Sequence, residues 1–209
     1  MSDEMKARLE NILYYHKSKI LAVAGAAALV IAGIALDGGN DAATALYGVA
    51  VNVTLSRENC DTACSRAAGA IGIDPEKEEV ILETGLEIDT QNPESNAMSG
   101  TLERMTTSIF SHELDFMICT EEVMDYYAGL GGLETVDETW AGDALSGGAD
   151  QEQYLVRSRD KSRETDYYGI CINDTLLSDG DGDTVFCIFK NSEHKDEALT
   201  FVRSLFQEE

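Results

Sequence analysis

Residues Ile20 to Leu36 (ILAVAGAAALVIAGIAL) form an uncharged run in a chain that is otherwise acidic and water-compatible. Its roughly 17 residues, rising about 1.5 Å each as a helix, just reach across the hydrocarbon core of a bilayer. Lys6, Arg8, Lys17 and Lys19 precede the run, and Asp37 and Asp41 follow it. The positive-inside rule then places the front end in the cytoplasm and everything after the run outside. Tyr14, Tyr15 and His16 suit the headgroup layer just before the span. The expected organisation is a cytoplasmic segment 1–19, a transmembrane anchor 20–36, a tether 37–45 and an extracytoplasmic domain 46–209, with the protein held in the cell membrane by a single pass. Two alternatives stand beside the anchor. One is a cleaved signal peptide, for which Ala43-Thr44-Ala45 offers a small-x-small pattern, although far beyond the apolar run. The other is a buried helix of a soluble domain.

Charge is unevenly divided. Residues 1–36 hold four Lys/Arg against three acids, and the chain totals −24, so the remainder carries −25. Such a surface repels phosphate backbones and anionic headgroups, which excludes DNA or RNA as an expected partner. It draws cations and basic partners weakly, mainly at low salt; a solubilising coat is the plainer role for these charges. The five cysteines are an odd number and argue against a fully paired disulfide framework. Cys60 and Cys64 lie four apart on an expected helix, and Cys119, Cys171 and Cys187 fall in apolar, strand-like runs where a thiol acts as a small hydrophobe. One disulfide with an unassigned partner stays open.

Beyond the tether, the chain alternates. Leu46 to Leu55 is apolar on both faces, a central strand pattern. Arg57 to Ala70 reads as a helix with a small face at Ala63, Ala67 and Ala68. Glu79 to Asp89 reads as one strand or two, broken at Gly85. Asn92 is placed to cap the next helix, with Pro93 in its first turn and Met98, Leu102, Met105 and Ile109 at helical spacing. Leu114 to Cys119 is a buried strand, after which Thr120 caps a helix carrying Glu121 and Glu122 in its first turn and ending at Gly129. Residues 131–150 read as loop. Gln153 to Arg157, Tyr168 to Ile172 and Thr184 to Phe189 are strands, and Ser192 caps a last amphipathic helix. Arg157, Arg159, Lys161 and Arg163 form a basic knot in the acidic chain. Strands apolar on both faces between helices predict a three-layer α/β domain.

Two stretches carry a resemblance. Glu113 to Val123 (ELDFMICTEEV) is similar to the strand and cleft-facing helix of extracellular solute-binding proteins, and Phe189 to Val202 (FKNSEHKDEALTFV) is similar to their C-terminal strand and helix. The front end, Leu9 to Leu21, resembles that of membrane-tethered proteins of Gram-positive gut bacteria. The resemblance implies one lobe of a type II (periplasmic-binding-protein-like) solute-binding fold behind a protein anchor. Members of that family are roughly twice this length and clamp solute between two lobes. It further implies that Thr120, Glu121 and Tyr126 line a pocket. Because Glu121 and Glu122 already occupy the field of the helix N-terminus, the expected solute is neutral or cationic; an ordinary capped helix is the alternative.

Open α/β sheets gather ligands at the carboxyl ends of their strands, which adds Ser56 to the candidates. Trp140, in a Gly- and acid-rich loop, reads as a stacking platform or a loop plug. Asp179, Asp181 and Asp183 alternate as in a calcium loop, but Thr184 and Lys190 stand where an EF-hand needs Gly and Glu. The site is either a weak calcium site or an acidic hairpin turn, and no other cofactor is expected. None of His16, His112 and His194 sits in a recognised catalytic motif, and the chain has no P-loop, GxGxxG or HExxH. The expected function is therefore non-catalytic recognition of a small solute, or alternatively a structural or interaction module with an envelope protein as partner.

Overall fold

A strand that is apolar toward both sides must lie inside a sheet covered on both faces. In the computed structural model, which describes residues 42–92, 96–136, 151–159, 166–178, 180 and 182–207, strand β1 (Ala43–Val51) occupies that position. It pairs in parallel with β2 (Glu78–Leu86) on one side and with β3 (Phe116–Thr120) on the other. With β4 (Leu155–Arg157), β5 (Tyr167–Cys171) and β6 (Thr184–Ile188) it builds a six-stranded mixed sheet in the order β2-β1-β3-β6-β5-β4. Strand β6 runs antiparallel to β3 and β5, and β4 runs antiparallel to β5. The described helices are α1 (Arg57–Ile71), α2 (Asn96–Phe110), α3 (Glu121–Gly129) and α4 (Lys195–Leu205).

Because successive strand side chains point to opposite faces, the sheet carries two cores. Leu46, Ala50, Phe116, Ile118, Phe186 and Ile188 pack on one face with α1 and α4. Val49, Val51, Met117, Cys119, Val185 and Cys187 pack on the other with α2 and α3. Helices on both faces of a mixed sheet give the α/β class expected from the alternating pattern. At the centre of the first core, the Phe116 ring lies 5.1 Å from Phe186 and 4.5 Å from Phe201, centroid to centroid. Gly48 on β1 makes room for it: a Cβ there would stand 2.1 Å from the ring.

Several boundaries differ from the sequence reading. Strand β1 begins at Ala43, inside the stretch read as tether. Strand β2 is a single strand, not two: Gly85, at φ +80°, sits at an irregularity where the register to β1 shifts, so the strand bulges instead of breaking. Helix α2 starts at Asn96, and Asn92 does not cap it; its N–H and side-chain amide donate to Asp89. A 3₁₀ turn, Gln151–Tyr154, leads into a β4 shorter than expected. The final helix is preceded at its N-cap position by His194, while Ser192 is buried two residues earlier. All five cysteines are free thiols. The predicted span over 20–36 and Pro93 lie outside the described residues. Among those described, no helix is long and apolar enough to cross a membrane.

A polar clamp fastens α2 to the sheet. The Tyr47 hydroxyl donates to Glu83 Oε2 at 2.6 Å, and Arg104 donates to the same carboxylate. Burial pushes the Glu83 carboxyl up, but hydrogen bonds from Arg104 and Tyr47, with the Arg104 charge, outweigh it and hold the carboxyl below its ordinary value. A carboxyl depressed in the folded state adds stability above its unfolded value, near 4.3, and loses it as pH falls through the folded value. In an acid titration of the urea midpoint, the wild type should lose more stability below about pH 4.3 than Glu83→Gln does. Parallel curves would mean that the clamp is not acid-sensitive.

Candidate binding site at the carboxyl edge of the sheet

Strand β1 hands the chain to β2 through α1 on one face, whereas β3 lies on its other side and is reached through α2 on the opposite face. The loops leaving β1 and β3 therefore diverge, which is the geometry of a topological switch point. Asn52 follows β1 at φ +56°, a left-handed conformation that asparagine tolerates. Its side chain donates to the Ile88 carbonyl at 2.7 Å and accepts the Ile88 N–H at 2.8 Å. Two residues on, Thr90 Oγ1 donates to Glu122 Oε1 at 2.5 Å. The segment after β2 is thus strapped from the end of β1 to the start of α3, with Ile88 buried beneath it. A cavity of about 680 Å³ opens between Asn52–Leu55 and Thr84–Asp89.

A second cavity, of about 370 Å³, lies on the same edge, beyond β3. Its lining includes Glu121, Gln153, Arg157, Tyr167, Cys171 and Asp183. Thr120 and Thr184 face each other across the β3–β6 ladder, so Glu121 and Asp183, next to them in the chain, come to one site. Asn173 braces the turn by donating to Asp183 Oδ1 at 2.8 Å and accepting the Thr184 N–H at 2.8 Å. The Arg157 guanidinium stacks 4.3 Å from the Tyr167 ring centroid and also donates to its hydroxyl. Arg159 donates to Glu121, and its backbone N–H binds Asp125 Oδ1 at 2.9 Å. Burial pushes the Cys171 thiol up; a hydrogen bond from the Asn173 backbone works against this, and Asp183 and Asp174 add to it. A thiol held protonated is a poor nucleophile.

The predicted site residues distribute as follows. Glu121 and Asp183 line the smaller cavity. Thr120 is half-buried at the N-cap position of α3, with no side-chain cap bond. Ser56 is exposed beside the larger cavity's β1 loop, and its Oγ caps α1 by accepting the Asn59 N–H at 3.1 Å. Tyr126 packs edge-on against Tyr127 at 5.3 Å, in the second core rather than among the lining of either cavity. Trp140, Asp179 and Asp181 lie outside the described residues. Residues 172–183 join antiparallel β5 to β6, so Asp183 belongs to a hairpin connection. Among the described residues no group of three His, Cys, Asp or Glu could hold a metal ion. Gln153, Tyr167 and Cys171 line this cavity without any local sequence signal for a site; the one pointer toward them is the basic knot beginning at Arg157.

A histidine, a serine and an acid also meet, at the opposite end of β3. Buried Asp115 accepts the Ser192 hydroxyl at 2.7 Å and faces His194 Nδ1 at 3.1 Å, both on Oδ1, while its Oδ2 accepts the Tyr47 N–H at 2.9 Å. A nucleophile relay needs the hydroxyl bonded to the imidazole, which in turn is oriented by the acid. Here the hydroxyl and the imidazole share one carboxylate, and Ser192 Oγ accepts the His194 N–H at 3.0 Å. The arrangement buckles the loop before α4 to the sheet.

Fold and site together define an α/β domain whose described residues line cavities at the carboxyl edge of its sheet, the two described above each carrying two carboxylates. No protein-family model, curated protein or solved structure matches this chain.

Proposed function

We propose that the domain is a non-catalytic recognition module that takes a small neutral or cationic solute at the carboxyl edge of its sheet, on a chain anchored in the cell membrane through residues 20–36. The observation that carries this reading is the meeting of Glu121 and Asp183, from two different strand ends, in one cavity with Gln153 and Tyr167. A concave site of a few hundred Å³ with a few convergent polar groups is what small ligands use, and this one lies beside the carboxyl end of β3, next to the switch point between β1 and β3. The resemblance of residues 113–123 and 189–202 to solute-binding proteins points the same way, toward a single lobe of that type. The test is thermal unfolding of the full-length chain against sugars, amino acids, short peptides, organic cations, calcium and EDTA. A ligand at 100 times its Kd should add about 2.7 kcal/mol of stability. A shift with calcium alone, reversed by EDTA, would turn the reading to the aspartate turn.

The second reading, an interaction module for an envelope protein, has its own support. Phe110, at the end of α2, is 79% exposed, and Leu130, just after α3, is 66% exposed; both helices cover the same face of the sheet. If the whole panel is silent, this reading takes precedence.

A further inference from the structure

Resting on the binding reading above, we infer that the cavity holding Glu121 and Asp183 is a guanidinium site for which the chain's own Arg157 and Arg159 compete with the ligand. Two guanidinium groups from one short stretch engage its lining residues, Arg157 as part of the wall and Arg159 through Glu121. One stacks on the Tyr167 ring at 4.3 Å and hydrogen-bonds its hydroxyl; the other pairs with Glu121. These are the two contacts by which a protein holds an organic cation, an aromatic face and a carboxylate. The partners are unequally placed: the Glu121 side chain is 22% exposed, whereas that of Arg159 is 71% exposed. Glu121 is part of the cavity wall, whereas Arg159 is not and holds the carboxylate with a largely exposed side chain. With one partner this exposed, the pair is weakened by solvent and screened by salt, so an outside cation of the same shape can displace the arginine.

The chemical class follows from shape and charge. A planar fork matches both the ring face and the carboxylate, which a compact ammonium does not. An anion would meet Glu121 and Asp183 inside the cavity and a net −25 over residues 37–209, whereas the same field concentrates cations at the edge. Competition from the chain's own arginines lowers the apparent affinity by the fraction of molecules in which the site is open. Removing an internal competitor therefore tightens binding, the reverse of what loss of a ligand-contacting residue does.

Isothermal titration of the full-length chain with butylguanidinium, and with butylammonium as control, tests this at low and at physiological salt. Saturable binding of butylguanidinium is expected, weaker at higher salt. Arg157→Gln should tighten it about two- to fivefold, the worth of one exposed cation–π contact, and Arg159→Gln should tighten it as well. Glu121→Gln in the Arg157→Gln background should abolish it. Unchanged or weaker binding in both arginine variants overturns the inference, as does equal binding of the two probes. If butylguanidinium is silent while another solute of the panel stabilises the chain, the guanidinium assignment fails and the binding reading survives. Silence across the whole panel removes both.

Discussion

Asp115→Ala should lower the unfolding free energy by about 3–5 kcal/mol, because it strips a buried carboxylate from three donors at once. Tyr47 N–H, Ser192 Oγ and His194 Nδ1 all converge on this side chain, which is 2% exposed. Its main chain is part of the same junction. Asp115 N–H donates to the Tyr47 carbonyl at 2.8 Å, and its carbonyl accepts the Phe189 N–H at 2.9 Å. One residue thus ties β1, β3, the end of β6 and the loop before α4. Asp115→Asn is no rescue: with its carbonyl oxygen toward Ser192 and His194, the amide nitrogen faces the Tyr47 N–H, donor against donor. Urea unfolding measures this, with Glu193→Ala, whose side chain is 74% exposed, as a control expected within about 0.5 kcal/mol of wild type. If Asp115→Ala and the control unfold at the same midpoint, the buckle holds nothing.

Phe116→Ala should cost a similar amount, about 3–5 kcal/mol, as a large side chain is removed from a packed interior. The ring is fully buried between Phe186 and Phe201, and neither neighbour can close the gap without leaving its own contact with the other at 6.0 Å. Gly48 supplies an internal check. A methyl group added there meets the Phe116 ring at 2.1–2.5 Å, and the ring is pinned from behind, so Gly48→Ala alone should destabilise by about 1–3 kcal/mol. In the Phe116→Ala background the methyl enters the vacated space, and its cost should shrink or change sign. A double-mutant cycle in urea reads that coupling directly. Strict additivity would mean that Gly48 is glycine for a reason other than this ring.

Which residues are buried is largely legible in the sequence. The both-sided apolarity of Leu46 to Leu55, Leu114 to Cys119 and Thr184 to Phe189 announces central strands, and β1 (Ala43–Val51), β3 (Phe116–Thr120) and β6 (Thr184–Ile188) lie there, the first starting three residues earlier and ending four earlier than the pattern. Helix α1 begins at Arg57 and α3 ends at Gly129, as their sequence signals indicate. The site is only partly legible. Glu121 and Asp183 stand out for unrelated reasons, one as a helix-end acid and one as a calcium ligand, and nothing local says that they share a cavity. Ser192 looks like a helix cap because a serine ahead of an amphipathic run usually is one; its hydroxyl is instead taken by an acid 77 positions away.

The sequence by itself determined the burial pattern, the α/β class and the excess of negative charge, since periodicity and composition are carried by neighbouring residues. Tertiary structure alone decided the partners. The order β2-β1-β3-β6-β5-β4 brings Thr184 opposite Thr120, and with that register Asp183 to Glu121. It also sets Asp115 between Ser192 and His194, and Arg157 over Tyr167. An apolar side chain reports that it is buried but not what it is buried against, because that depends on closing long loops into one of many sheet orders with nearly the same local energy.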